Sequence, residues 1–529
     1  MRLNVSSRIV LLCLALGLNA QTPVTNAAPR PISLEECIRM ALERNLSIQV
    51  GDQINLGDTA DLDLRSGGKL GLEEARLLLS ESYGYYDPQF SASAGQKFNA
   101  RTPSGDIDPV FGSLSGNETW IEQFSLGLNG VLPTGTRYDI GGSINRLSGR
   151  TLDTDFLSLT FGQFLNIPWQ YRSQAGITVT QPLLRDFWID AGRMNIKLAR
   201  NSLKMSELSL QLLVMDIIQR VATAYFDLVA ARDQITVQEK ALELANQLVA
   251  ENNKKKDVGA LALLDVRQSE SQAATAKSDL TRANYDAQAA ENVLKSLMTD
   301  EFATMQAAIL EPTDKLLAVY QAFTLAESWR IGLETRPDYL LARQEVEARN
   351  IILQYRKNQL FPALDVVGTY GRNGLGASTS DSLESLDDNR FPHYGGAVVL
   401  RFPFTFRAER DSYKRGKIQK QAAILRLKRV ENEVLREIDD ALKLVRSAYA
   451  ATESTREARK FAEEALGAGQ KKMEVGRGTS FEVLQLQRDL TAASAAEILA
   501  LAEYNKALHQ IYFREGTTLQ RMKVLLDLK

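Results

Sequence analysis

Two long stretches of the chain repeat apolar residues every seven positions and lack the residues that break helices. Proline is absent from 183–311 and from 404–529. A seven-residue apolar repeat is the seam of a supercoiled helix. In the first stretch the seam residues are Val214, Val221, Leu228, Ile235, Leu242 and Val249, and in the second they are Ile424, Leu427, Val434, Ile438, Leu442, Val445 and Tyr449. At a rise of 1.5 Å per residue, the glycine-free interval of the first stretch predicts a helix about 100 Å long.

Each long helix is followed by the same short bend. Val258-Gly259-Ala260 precedes Asp265, and Val475-Gly476-Arg477 precedes Glu482 at an offset of 217 residues. The same offset places Gln268 on Gln485, and returning helices are predicted over 263–298 and 481–513. The simplest interpretation is an internal duplication that supplies two long antiparallel helical hairpins.

Two segments alternate polar and apolar residues, which is typical of strands. They cover 88–184 and 363–404. Aromatic residues stand near the ends of the predicted strands, as in the girdles of outer-membrane barrels. They are Trp120, Trp169, Tyr171, Trp188, Tyr370, Phe391 and Tyr394. A soluble β-sandwich is the alternative, and in lipid several chains would have to assemble one closed barrel.

The first strand segment contains an additional turn at Leu132-Pro133-Thr134-Gly135-Thr136, which indicates an added hairpin. The sequence leaves open whether this hairpin joins the barrel or forms an external flap. A second insertion, 52–69, is acidic and contains glycine, and we expect an exposed periplasmic loop there.

Composition narrows the class of protein. The 529 residues carry 63 basic and 65 acidic side chains, a net charge of −2 that does not favour nucleic acid. The apolar run near the N-terminus is typical of a secretory signal, assigned here to residues 1–28. Beyond Cys13 in that signal only Cys37 remains, and we expect it to be a buried small hydrophobe.

The chain offers few residues for catalysis. Two histidines, His393 and His509, stand in unrelated contexts, and no cysteine pair accompanies them. A zinc site or a nucleophile with a histidine base is therefore not expected. The glycine-rich run 371–376 does not match a phosphate loop, and no helix is expected after it. We predict no enzyme activity, no catalytic residue, no metal and no cofactor.

Several short motifs, weak singly, occur in an order that resembles one family over nearly the whole mature chain. The family is that of the TolC-like outer-membrane efflux proteins, or channel-tunnels. The motifs are Leu34–Ile38, Ala41–Asn45, Leu132–Thr136, Gln181–Leu184, Ala224–Leu228, Leu325–Glu327, Thr335–Asp338, Leu360–Leu364 and Arg401–Phe404. The resemblance implies an α+β membrane protein, in which a trimeric outer-membrane β-barrel continues into a long α-helical periplasmic barrel.

The resemblance also implies a domain order with two repeats per chain. The first repeat is 29–304, with strands in 88–184 and a bend at 255–262. A linker, 305–323, leads to the second repeat, 324–515, with strands in 363–404 and a bend at 473–480. A C-terminal tail, 516–529, follows.

Site residues are likewise implied by the resemblance. The helix bends dock a periplasmic adaptor protein in this family, and a ring of acidic residues just inside the entrance forms its constriction. The docking positions are Val258, Gly259, Ala260, Val475, Gly476, Arg477 and Gly478, and the constriction positions are Asp265, Glu482 and Gln485. Gln485 replaces a carboxylate of the family pattern. The basic residue that holds the gate closed would fall on Gly478, with Arg477 beside it.

The function implied is that of a homotrimeric channel in the cell outer membrane, with its helical tunnel in the periplasm. It would conduct substrates passively as part of a tripartite efflux or type I secretion system, together with an adaptor, an inner-membrane pump and outer-membrane lipid. The alternative is a periplasmic structural coiled-coil protein with a soluble β cap. The sequence names neither the substrate nor the class of pump.

Overall fold

The structure is a computed structural model that describes residues 30–50, 68–101, 117–152, 157–161, 163–257, 262–388 and 391–524. The helices are α1 (Leu34–Arg44), α2 (Leu46–Val50), α3 (Lys69–Tyr83), α4 (Ala191–Asp257), α5 (Leu263–Met298), α6 (Phe302–Met305), α7 (Leu325–Thr335), α8 (Pro337–Asn358), α9 (Thr379–Asp387), α10 (Arg407–Glu474), α11 (Ser480–Glu515) and α12 (Thr518–Arg521). The strands are β1 (Arg30–Ile32), β2 (Gln89–Arg101), β3 (Asn117–Val131), β4 (Arg137–Leu152), β5 (Phe164–Pro182), β6 (Leu310–Pro312), β7 (Ala363–Gly376) and β8 (Phe391–Arg401).

Contacts divide the described residues into two compact units. The first unit consists of the residues up to Asn45, Ile217–Tyr320 and Ser447–His509, and the second of Leu46–Asp216, Gln321–Arg446 and the residues from Gln510 onwards. The predicted signal and most of the 52–69 insertion lie outside the described residues. No helix in the described part of the chain combines the length and the apolar character needed to cross a membrane.

The two long helices are confirmed, and only part of the predicted seam forms their core. Val221 and Leu228 are fully buried in the first unit, whereas Ile235 and Val249 are partly exposed. The buried residues there are Ala245, which the heptad pattern also places on the seam as a small companion residue, and Leu248, which it does not. A straight α-helix drifts by about 20° per heptad, so a seven-residue pattern gradually leaves the packed face.

The seam prediction was wrong at Ile424, whose side chain is exposed in the second unit. Ala423 and Val430 are the buried residues on that part of α10. An alanine does not register as a seam residue when only large side chains are counted, although its small size suits close helix packing.

In the first unit, Tyr225 ties the start of the described chain to the segment after β6. Its hydroxyl donates to the carboxylate of Asp314 over 2.7 Å and lies 3.2 Å from the carbonyl oxygen of Ile32. β1 and β6 pair in parallel beside it. Cys37 is fully buried, and burial raises the pKa of its thiol to about 12. The prediction of a buried, small hydrophobic residue at Cys37 is confirmed.

His509 makes the stability of the first unit sensitive to acid. It is buried against Phe226, with ring centroids 5.4 Å apart, and burial lowers the pKa of its imidazole to about 4. The unfolded chain binds this proton near pH 6.5. The neutral imidazole therefore stabilises the fold fully above pH 6.5, and this contribution is lost as the pH falls towards 4.

We expect the variant His509→Leu to lose less stability than the wild type between pH 6.5 and pH 4. Between these pH values the wild type should lose about 3 kcal/mol more of its free energy of unfolding than the variant, since each pKa unit corresponds to about 1.4 kcal/mol. Denaturant unfolding at a series of pH values measures it. Parallel pH profiles for the two proteins would contradict the assignment.

The second unit contains a six-stranded antiparallel sheet within the described residues, in the order β2-β3-β4-β5-β7-β8. The turn at Leu132–Thr136 joins β3 to β4, and Gly135 adopts a φ of 86° there. The predicted hairpin is thus a part of the sheet, between β2 and β5.

Among the helices of the second unit that were not predicted are α3 and α9. α3 follows the 52–69 insertion, and α9 follows the glycine-rich run 371–376, so the expectation of no helix after that run was wrong. Ser378 begins α9 with a capping box that pairs it with Asp381. α9 packs on the sheet, where the hydroxyl of Ser173 donates to the carbonyl oxygen of Ser382 over 2.7 Å. Glycines at 374 and 376 leave room for this close contact.

Candidate functional site

The bend between α10 and α11 is a Schellman motif. The amide of Gly476 donates to the carbonyl oxygen of Met473 over 3.1 Å, and the amide of Arg477 donates to the carbonyl oxygen of Lys472 over 2.9 Å. Gly476 adopts a φ of 71°, a left-handed conformation that favours glycine. A Cβ on Gly478 would stand 3.0 Å from the amide nitrogen of Met473. The left-handed backbone thus favours glycine at 476, and the tight space beside the end of α10 favours it at 478.

We expect Gly476→Ala to destabilise the protein and Gly467→Ala to stabilise it. A left-handed conformation costs an L-residue about 1–2 kcal/mol. Gly467 lies inside α10 with open space around its Cβ position, so alanine there gains up to about 1 kcal/mol of helix propensity. Thermal unfolding should show a lower melting temperature for Gly476→Ala and a higher one for Gly467→Ala than for the wild type. Equal shifts in one direction would contradict the role of Gly476.

Glu482 lies in the first turn of α11. The hydroxyl of Thr479 accepts the amide hydrogen of Glu482 over 3.2 Å and so caps the helix. The Glu482 side chain is exposed. The positive end of the helix dipole favours a negative charge at this position. The local sequence thus holds an exposed carboxylate beside the bend.

Gln485 lies one turn further along the same exposed face and leads to a carboxylate that sequence reasoning missed. Its amide nitrogen donates to the carboxylate of Asp489 over 3.1 Å, and its oxygen accepts from Arg488 over 3.0 Å. Residues three and seven positions after Glu482 share its side of a helix. The acidic face at the start of α11 therefore consists of Glu482 and Asp489. The spacing from Glu482 could have revealed Asp489.

The first bend, Val258, Gly259 and Ala260, lies outside the described residues. The residues after it share part of the pattern seen after the second bend. Asp265 is half-buried in the first turn of α5, and its amide donates to the carbonyl oxygen of Ala262 over 3.2 Å. Val266 is buried as Val483 is, and Gln268 is exposed as Gln485 is. The burial of these two pairs thus follows the 217-residue offset, whereas Asp265 is more buried than Glu482.

A small core fixes the second bend against the end of α4. The buried residues are Leu248, Leu466, Met473, Val483 and Leu484. Beside them, the hydroxyl of Ser480 donates to the side-chain oxygen of Asn252 over 3.0 Å, with both residues buried. The direction in which α11 begins is set by these contacts, whereas Val475 and Phe481 remain exposed next to the bend.

The sheet of the second unit has one apolar face. One row of directly paired residues crosses all six strands, and its members are Phe90, Leu128, Ile140, Ile177, Tyr370 and Tyr394. All six side chains are exposed in the single chain. Such a row of uncovered apolar residues is typical of a sheet face that meets lipid or another protein.

The opposite face of the sheet is polar. The adjacent row contains Gln89, Asn129, Asp139, Thr178 and Thr369. Apolar and polar residues therefore alternate along each strand, as they do in a barrel that separates lipid from water. At one end of the apolar face, the guanidinium of Arg146 lies 3.8 Å from the ring centroid of Trp169 and pairs with Glu122. Two of the predicted girdle aromatics, Trp120 and Trp169, stand near this end.

Comparison with known proteins identifies the class to which this fold belongs. The chain is 24% identical over 370 residues to the outer membrane efflux protein BepC of Brucella suis biovar 1, covering 69% of this chain and 74% of BepC. It matches the outer membrane protein VceC of Vibrio cholerae with a TM-score of 0.60 at 16% identity, over 91% of this chain and 96% of VceC. It matches the outer membrane channel CmeC of Campylobacter jejuni with a TM-score of 0.59 at 14% identity, over 92% of this chain and 86% of CmeC.

These matches confirm the α+β, TolC-like fold. The profile of the family described as outer membrane efflux protein matches residues 149–299 and 331–517, which is more than half of the chain. The protein therefore belongs to the outer membrane efflux protein family.

Proposed function

We propose that the chain is the outer-membrane channel of a tripartite efflux or type I secretion system and conducts its substrates passively. Three copies would close a barrel in the outer membrane, and the helical part would lie in the periplasm. The observation that carries this proposal is the sheet with one exposed apolar face and one polar face. Membership of the efflux family supports it, since the relatives are efflux proteins and channels.

The helix bends are the proposed docking sites for a periplasmic adaptor, which would link the channel to an inner-membrane pump. The residues are Val258, Gly259, Ala260, Val475, Gly476, Arg477 and Gly478. Exposed apolar side chains at Val475, Phe481 and Leu264 support this proposal, because uncovered apolar groups beside a glycine bend suit contact with a partner protein.

The start of α11 and the start of α5 are the proposed constriction. Glu482, Gln485 and Asp265 would line it, and we add Asp489 to this set because its carboxylate accepts a hydrogen bond from Gln485. Three copies of these three carboxylates around one axis would attract cations and repel anions. Repulsion within the ring would oppose closure unless cations balance it.

We propose no enzymatic role, since the relatives and structural matches are efflux proteins and channels. The energy for transport would come from the inner-membrane pump.

Cell fractionation with a semi-native gel tests the proposed function. We expect the protein in the outer-membrane fraction, as a detergent-extracted trimer that dissociates on heating, and we expect deletion of its gene to raise sensitivity to exported compounds. A soluble periplasmic protein that needs no detergent would overturn the proposal and favour the structural coiled-coil alternative.

A further inference from the structure

We propose that all six strands of each chain enter the barrel, so that three copies close an 18-stranded wall. The partner at each free edge of the sheet is a second copy of this chain, with β8 of one copy pairing with β2 of the next. The inference rests on the proposed function, because the threefold assembly and the outer membrane belong to that proposal.

The hairpin β3-β4 is paired on both sides within the sheet. β3 pairs with β2 along thirteen residue pairs, from Gln89 with Asn129 to Arg101 with Asn117. β4 pairs with β5 from Arg137 with Thr180 onwards. The hairpin thus connects β2 to β5, and no direct pairing joins those two strands among the described residues. A hairpin lying outside the barrel would have to break both ladders.

The side chains of the hairpin continue the two faces of the sheet. Leu128 of β3 and Ile140 of β4 stand in the apolar row between Phe90 and Ile177, and all four are exposed. On the other face, Ser125 pairs with Ser143. The hairpin therefore presents apolar and polar faces in register with its neighbours. An external flap, with water on both sides, would gain nothing from this alternation.

The length and direction of the strands also suit a barrel made of three copies. A strand needs about 9–11 residues to cross the membrane, and β3 has 15 and β4 has 16. Neighbouring strands in the sheet are all antiparallel. With an even number of alternating strands, β8 of one copy meets β2 of the next in antiparallel orientation. Both free edges are then satisfied, as they must be in lipid.

The number of strands sets the width. Strands about 4.8 Å apart and tilted by about 40° give a backbone diameter of about 36 Å for eighteen strands, and about 24 Å for twelve. Twelve would result if the hairpin lay outside and each copy supplied four strands. The six-stranded sheet thus makes a lumen about twice as large in cross-section, of the width found in water-filled porins.

Spin labelling of the whole protein tests the inference. Single cysteines at Leu128, Ile140 and Phe90 on the apolar face, and at Ser125 and Ser143 on the polar face, are introduced with Cys13 and Cys37 replaced by alanine. In bilayers we expect the first three labels to collide with dissolved oxygen and the last two with a water-soluble nickel complex. Labels on Leu128 and Ile140 that meet the nickel complex, while the Phe90 label meets oxygen, would overturn the inference.

The distance between equivalent labels in the three copies gives a second readout. Labels at Phe90 should reflect backbone points about 31 Å apart in an eighteen-stranded barrel and about 21 Å apart in a twelve-stranded one. The shorter distance in a preparation that still conducts ions would overturn the wide barrel and leave the proposed function standing. A folded preparation without conductance, whose labels all meet the nickel complex, would overturn both.

Discussion

Replacing Glu291 with alanine is expected to lower the free energy of unfolding of the first unit by about 3–5 kcal/mol. Glu291 is buried and accepts from Arg232 over 2.7 Å and from Lys295 over 2.8 Å. It also accepts the amide hydrogen of Leu310 over 3.1 Å and so fixes β6 beside α5. The variant leaves Lys295, which is buried, without its carboxylate partner.

A double variant separates the cost of an unpaired charge from a general loss of packing. Glu291→Leu with Lys295→Met replaces the buried pair by apolar groups, which is often neutral for stability. We expect it to recover the part of the loss that is due to the unpaired charge of Lys295, while the contacts of Glu291 with Arg232 and with the amide of Leu310 stay lost. Chemical denaturation in detergent, followed by the helical circular dichroism signal, measures both variants. Equal losses in the two variants would contradict the explanation by charge.

Neutralising the acidic face at the start of α11 is expected to reduce the preference of the channel for cations. A unit charge about 8 Å from an ion in water contributes about 0.5 kcal/mol, so one carboxylate changes selectivity about two-fold and a ring of three about ten-fold at low salt. We expect Glu482→Gln and Asp489→Asn each to lower the ratio of cation to anion permeability within this range. Reversal potentials in a salt gradient measure the ratio.

The control is Glu464→Gln, which removes the same charge from an exposed position on α10. It should leave the permeability ratio close to that of the wild type. If all three variants change the permeability ratio equally, the overall charge of the protein determines the selectivity. If the two α11 variants leave the ratio unchanged, the constriction does not lie on this face of α11.

Helices and their bends were predictable from the sequence because their signals are local. Heptads and missing prolines define α4 and α10, and the returning helix after the first bend was predicted with the bounds observed for α5. The offset between Asp265 and Glu482 was read from the sequence, and the burial of Val266 and Val483 follows it. The residues at which the packed face leaves the seam were not predictable, since they depend on which partner each turn of the helix meets.

Two features needed the structure, and a third was missed although its spacing could have revealed it. The place of β3-β4 within the sheet depends on pairing between distant strands, which alternation in a single strand does not specify. α9 is short and polar, and it is held by contacts such as that of Ser382 with Ser173. Asp489 was missed because the family pattern drew attention to Gln485, whereas the carboxylate stands one turn further along α11.

Single-channel recording of the purified protein in a planar bilayer tests the central claim most directly. Wild-type protein is expected to give discrete, small, cation-selective openings, since a narrow acidic entrance would limit flow through a wider barrel. A preparation with intact helical signal and trimeric state that gives no conductance would contradict the account of this chain as a channel.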